Sequence, residues 1–128
     1  MSAAKILVVD DDRPLRHGLS QLLELAGYEV WTAEDGLEAA ETLAGQRFDL
    51  LLTDLKMPRM DGIELTREAR RLLPRIPVIV LTGIGDLDSV QETLQAGAVE
   101  LVTKPFEASQ MLSTIKGLLG STANATED

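Results

Sequence analysis

Leu51-Leu52-Thr53-Asp54 ends an apolar run in a carboxylate, and Leu55-Lys56-Met57-Pro58-Arg59-Met60-Asp61-Gly62 follows as loop. An aspartate at the carboxyl end of a buried strand sits where open α/β sheets place their ligand sites. Taken alone, Asp54 reads as a turn or cap residue. The other apolar runs of the chain change that reading. Two more acidic groups, one hydroxyl and one lysine stand at their ends, so parallel neighbouring strands would bring all of them to Asp54.

Working outward, Lys5-Ile6-Leu7-Val8-Val9 is a β-branched run without alternation, as in a strand buried on both faces, and Asp10-Asp11-Asp12 ends it. Pro14 suits the first turn of a helix carrying Leu15, Leu19, Leu22, Leu23 and Ala26, and Gly27 closes it. Tyr28 to Ala33 has the propensity of an edge strand. Glu34-Asp35-Gly36 turns into a helix with Leu37, Ala40 and Leu43. Phe48 to Thr53 is the third strand. Leu65, Ala69 and Leu72 mark a third helix, basic outside through Arg67, Arg70 and Arg71, and Pro74 and Pro77 stop it. Pro77 to Leu81 is a fourth strand ending at Thr82-Gly83. Asp86 is set to cap a helix with Leu87, Val90 and Leu94. Ala98 to Thr103 is the fifth strand, with Lys104-Pro105 at its end. Met111, Leu112, Ile115, Leu118 and Leu119 carry the last helix. Strand and helix alternate, and the short connections call for right-handed crossovers and a parallel sheet with helices on both faces.

Composition narrows the function. A chain of 128 residues is one domain, burying roughly two-thirds of its unfolded surface. A net charge of -9 argues against direct nucleic-acid or anionic-membrane binding, and fits a cation-dependent site or a basic partner. Without cysteine there are no disulfides or thiolate metal sites. No apolar run nears the roughly 18 residues of a membrane span, and Lys5 and the aspartate run break the only early stretch that a signal peptide could use.

The strand ends carry the chemistry. Asp10, Asp11 and Asp54 on one rim would repel: unit charges at about 4 Å cost about 4 kcal/mol at an effective dielectric near 20. Either a pKa rises or a cation enters. An oxygen-only cluster favours Mg²⁺, which keeps open positions for phosphate oxygens. A carboxylate nucleophile can form an aspartyl phosphate, and phosphoryl transfer needs mainly positioning and charge neutralisation. Lys104 and the Thr82 hydroxyl would supply part of that.

Val8-Val9-Asp10-Asp11, Thr53-Asp54 with Met57-Pro58 and Met60-Asp61-Gly62, Leu81-Thr82-Gly83, and Lys104-Pro105-Phe106 together resemble the response-regulator receiver domain of two-component signalling, from about Lys5 to Leu119. The resemblance implies an α/β, flavodoxin-like, doubly wound five-stranded parallel sheet of order 2-1-3-4-5 with five helices. It implies Asp54 as phosphoacceptor, with Mg²⁺ held by Asp11 directly, Asp10 through water, Asp54 and the Lys56 backbone carbonyl. Thr82 matches the switch hydroxyl and Lys104 the family's lysine, and Lys104-Pro105 is expected to be cis. Asp12 is left for the start of the first helix. Residues 1–119 form the receiver, and 120–128 a disordered tail or the start of a linker. The implied partners are a histidine kinase or phosphotransfer protein, an output domain or protein reached through the fourth helix, fifth strand and fifth helix, and a second copy on phosphorylation. The implied location is the cytoplasm.

One position departs from the pattern. Leu101 stands where receivers commonly carry Tyr or Phe. A constitutive interaction module with weakened phosphorylation coupling is therefore an alternative, and a Mg²⁺-dependent phosphohydrolase a second one, though no lid or substrate pocket is written in the loops. His17, Trp31, Met57 and Met60 read as surface or packing residues.

Overall fold

The computed structural model describes residues 3–127. Five strands, β1 (Lys5–Val9), β2 (Glu29–Ala33), β3 (Leu50–Asp54), β4 (Val78–Thr82) and β5 (Glu100–Thr103), form one sheet of order β2-β1-β3-β4-β5. All four pairings are parallel. The helices are α1 (Arg13–Leu25), α2 (Gly36–Gly45), α3 (Gly62–Leu72), α4 (Val90–Ala96) and α5 (Ala108–Glu127), with a 3-10 segment, Ile84–Ser89, before α4.

Strand period divides the core in two. Ile6, Val8, Leu50, Leu52, Ile79 and Leu81 pack with Leu19 and Leu23 of α1 and Met111 and Ile115 of α5. Leu7, Val9, Leu51, Val78 and Val80 point the other way, to Ala39 and Leu43 of α2 and Ile63, Leu65 and Ala69 of α3. Each fully buried leucine in the central strands contributes about 2 kcal/mol of transfer free energy. Runs buried on both faces are why β1, β3 and β4 show no polar alternation.

The β3–α3 loop is held by close approach. Gly62 N–H donates to the Leu55 carbonyl at 2.7 Å. A Cβ on Gly62 would meet the Asp54 carbonyl and lie 2.9 Å from Leu55 Cα. Gly62→Ala should therefore cost about 1–3 kcal/mol, read as a lower urea midpoint with unchanged slope. An unchanged midpoint would mean that the loop has room to yield.

Two helices depart from the sequence reading. Asp86 does not cap the fourth helix forward. Its carboxylate accepts the Gly83 N–H at 2.6 Å, inside the 3-10 segment. The tighter turn rotates Leu87 outward to 78% exposure and leaves Leu94 exposed, while Thr93 takes the buried place and its hydroxyl donates to the Ser89 carbonyl. In α2, Ala39 is buried and Leu37 is not. α5 continues past Leu119 to Glu127, since helix propagation adds a hydrogen bond for each residue fixed. Asp128 lies outside the described residues. No helix among the described residues is long and apolar enough to cross a membrane.

Candidate functional site

Register sets the site. Val9 pairs with Thr53, and the next residues on these two strands are Asp10 and Asp54. Asp54 pairs with Leu81, one residue before Thr82, and Thr82 pairs with Thr103, one residue before Lys104. Adjacent parallel strands thus deliver Asp10, Asp54, Thr82 and Lys104 to one carboxyl edge. Asp11 joins them from the β1–α1 loop. Ligand oxygens of Asp10, Asp11 and Asp54 all lie within 4.8 Å of one another.

Each group is fixed locally. Asp10 is fully buried and accepts the Asp12 N–H at 2.9 Å, while Arg16 of α1 donates to its backbone carbonyl at 2.8 Å. Asp12 caps α1 by accepting from Leu15 N–H. Leu55 N–H donates to the Leu81 carbonyl at 3.0 Å and Lys104 N–H to the Thr82 carbonyl at 2.7 Å, locking the loop ends to β4. The Lys104–Pro105 peptide is cis. The Lys104 ammonium lies 3.0 Å from Asp54 Oδ1 and 3.4 Å from Asp10 Oδ2.

Burial and the crowding of carboxylates set the charge state. Burial pushes both Asp10 and Asp54 above the ordinary carboxylate range, against the pull of Lys104, and the Asp54 charge adds to the rise at Asp10. Burial alone would lower Lys104, but the Asp54 and Asp10 carboxylates hold it above its usual value. The Lys104 ammonium thus faces two of the three clustered carboxylates. The donor set fits a hard divalent cation: three carboxylate oxygens in a small cluster, no sulfur or imidazole, and excess negative charge.

The loop after Asp54 is pinned at two more points. Arg59, with φ at 70°, pairs with Asp35, the cap of α2. Asp35 is held below the usual carboxylate range by the Glu38 N–H first and Arg59 second. Lys56 Nζ reaches Asp86 Oδ1 at 3.0 Å. Neither pair was legible in the sequence, because each joins loops far apart in the chain. Asp86 gave one signal, an acid four residues beyond Thr82 that could be read only as a helix cap.

Leu101 is half-buried against the core beneath α2 and α3. Thr82 is buried at the carboxyl edge. His17 is exposed. Trp31 packs edge-on against Phe48 with the Lys5 ammonium over both rings, at the amino end of the sheet and away from the cluster. Arg67 pairs with Glu92, and Arg70 donates to the Ile76 carbonyl, so the basic face of α3 ties α3 to its neighbours rather than standing wholly in solvent.

Fold and site define a doubly wound α/β protein with a cation-seeking carboxylate cluster at the carboxyl edge of its central strands. The profile of the response regulator receiver domain matches residues 6–116, and the chain belongs to that family of two-component systems. Response regulator MprA of Mycobacterium ulcerans is 40% identical over 120 residues, which are 94% of this chain and 52% of that protein. The chain thus spans about half the length of the curated relatives it matches. A CheY-like receiver domain protein from Methanospirillum hungatei superposes with a TM-score of 0.93 at 35% identity, covering 97% of this chain and 99% of its own. The receiver domain of a signal transduction histidine kinase from Syntrophus aciditrophicus gives 0.87 at 36%, covering 93% and 92%. Receivers of this family generally bind Mg²⁺.

Proposed function

We propose that this domain takes a phosphoryl group from the phosphohistidine of a histidine kinase or phosphotransfer protein onto Asp54. The observation that carries this reading is the Lys104 ammonium, 3.0 Å from Asp54 Oδ1 within a cluster of three carboxylates. An Asp54 carboxylate oxygen forms the new P–O bond as the P–N bond to the donor breaks, and the electron pair returns to the imidazole. Asp10, Asp11, Asp54 and the Lys56 carbonyl would hold Mg²⁺, which supplies charge neutralisation at the phosphoryl oxygens. Lys104 takes the opposite side of the developing charge, and the Thr82 hydroxyl donates to a phosphoryl oxygen.

The domain catalyses transfer onto its own aspartate and the loss of its own acyl phosphate, one phosphoryl group per chain, rather than repeated turnover of a small-molecule phosphoester. Residues 1–119 serve as the receiver unit, and 120–128 as a tail or the start of a linker. Phosphorylation adds charge and acceptor oxygens at the rim and biases the surface of α4, β5 and α5. Ile84, Leu87, Leu94 and Val99 are exposed there and offer an apolar contact to an output partner or a second copy. The protein works in the cytoplasm, beside its kinase.

A second reading is favoured by Leu101. Its packing against the core leaves no polar tip to exchange partners, which suits a constitutive module. Backbone shifts from Val99 to Phe106 on phosphorylation speak for the first reading, and their absence for the second. The reaction itself is tested by intact mass after incubation with Mg²⁺ and acetyl phosphate, beside Asp54→Asn and EDTA samples. One added phosphoryl group, lost in both controls, is expected. An adduct that survives in Asp54→Asn would overturn the assignment.

A further inference from the structure

We propose that Lys56 and Asp86 form a latch between the loop that follows Asp54 and the loop that follows Thr82, closed before phosphorylation and opened by it. This rests on the reading of Asp54 as phosphoacceptor. The Asp86 side chain is only 8% exposed, although it lies in the 3-10 segment whose neighbours Ile84 and Leu87 face solvent. Its two oxygens serve two loops. Oδ2 accepts the N–H of Gly83, the residue next to Thr82, at 2.6 Å, and Oδ1 holds Lys56 Nζ at 3.0 Å. The Gly83 N–H first, and Lys56 after it, keep this carboxyl charged, below the usual range.

Lys56 follows Asp54 by two residues, so its long side chain is tethered to the loop that leaves the acceptor. A phosphoryl group on Asp54 brings roughly two negative charges and strong acceptor oxygens within reach of that tether. The single Asp86 carboxylate must then compete for Lys56 with a richer anion. Thr82 moving toward the phosphoryl group carries Gly83 with it, loading the other Asp86 bond at the same time. Losing either bond frees the 3-10 segment. Because Leu101 has no polar tip, this pair offers a polar route from Asp54 to α4 that does not pass through position 101.

The test uses amide NMR spectra of the unphosphorylated protein and of its Mg²⁺–beryllofluoride complex, a mimic of the phosphorylated state. Lys56→Gln, Asp86→Asn and the double variant are compared with the parent. Asn retains an acceptor for Gly83, so Asp86→Asn removes charge rather than the turn. A latch predicts that both single variants move the Gly83–Ala96 amides part of the way to their beryllofluoride positions without the mimic. It also predicts that the double variant moves them no further, with a shift in the open-to-closed ratio of about three- to fivefold. Additive shifts, or a shift in Asp86→Asn alone, would overturn the latch and leave Asp86 as a turn residue. If the parent binds beryllofluoride and Mg²⁺ but the variants show no shift, the latch fails while the phosphoacceptor reading stands. A parent that takes neither beryllofluoride nor a phosphoryl group would sink that reading itself.

Discussion

Replacing Lys104 with methionine is expected to slow phosphoryl transfer to Asp54 by about 100-fold or more while leaving Mg²⁺ binding intact. Among the described residues, Lys104 supplies the ammonium in contact with both Asp54 and Asp10. Charge that develops on the phosphoryl oxygens in a loose transition state must be met by fixed groups, and Lys104 is already placed for it at half-buried depth. Removing it leaves the three carboxylates with less positive charge to offset them. A divalent cation should then bind as well as before, or more tightly. Rate and metal affinity should separate, with the rate falling at saturating Mg²⁺ and the calorimetric dissociation constant holding or dropping. Lys104→Arg should restore only part of the rate, since a planar guanidinium cannot reproduce a point charge on a flexible stem. Parallel loss of rate and metal affinity would instead make Lys104 a clamp on the carboxylates.

The second large effect concerns stability. In metal-free protein near neutral pH, Asp10→Asn should raise the unfolding free energy by on the order of 1 kcal/mol. Asn can still accept the Asp12 N–H, but it removes one charge from a buried cluster. The sign follows from the direction of the shifts. Burial, and then its neighbour's charge, lift the folded Asp10 above its ordinary value of 3.8, and burial lifts Asp54 likewise. The folded state therefore holds these protons more tightly than the unfolded chain. Their contribution is most favourable below 3.8, declines as pH rises through the window up to the raised folded values, and is a full cost above it. Lys104 acts in a separate alkaline window: its stabilisation is present below 10.5 and is lost as pH passes its raised folded value. Denaturation curves should show the parent losing stability relative to Asp10→Asn from about pH 4 toward neutrality. Mg²⁺ at about ten times its dissociation constant should return about 1.4 kcal/mol to the parent and much less to the variant. Equal stabilisation of both would remove Asp10 from the metal site.

How much of this could be read beforehand differs from element to element. β1, β3 and β4 were legible because strands buried on both faces need unbroken Val, Ile and Leu, and their ends carry Asp10, Asp54 and Thr82. The cluster of Asp10, Asp11 and Asp54 followed once those strands were taken as parallel neighbours. The fourth helix was misread because Leu87, Val90 and Leu94 keep helical spacing. That spacing fails across a 3-10 segment, where each residue turns further than in an α-helix. Asp86 folds back to hold the start of that tighter turn, its carboxylate accepting the Gly83 N–H. The Arg59–Asp35 and Lys56–Asp86 pairs were out of reach because they join loops 24 and 30 positions apart, and no local pattern records which surface loops meet. Leu37 was misplaced for a simpler reason. Ala39 is small enough to bring α2 close to the sheet, and Leu37 then falls to its outer side.

The central claim is that a phosphoryl group becomes bonded to the Asp54 carboxylate, and borohydride reduction of the phosphorylated protein tests it most directly. Reduction converts an acyl phosphate to an alcohol and leaves free carboxylates untouched. Peptide mass analysis should find homoserine in place of aspartate at position 54, at no other aspartate, and only in samples that received both Mg²⁺ and a phosphodonor. Intact aspartate at position 54, with homoserine in place of Asp10 or Asp11, would contradict the account.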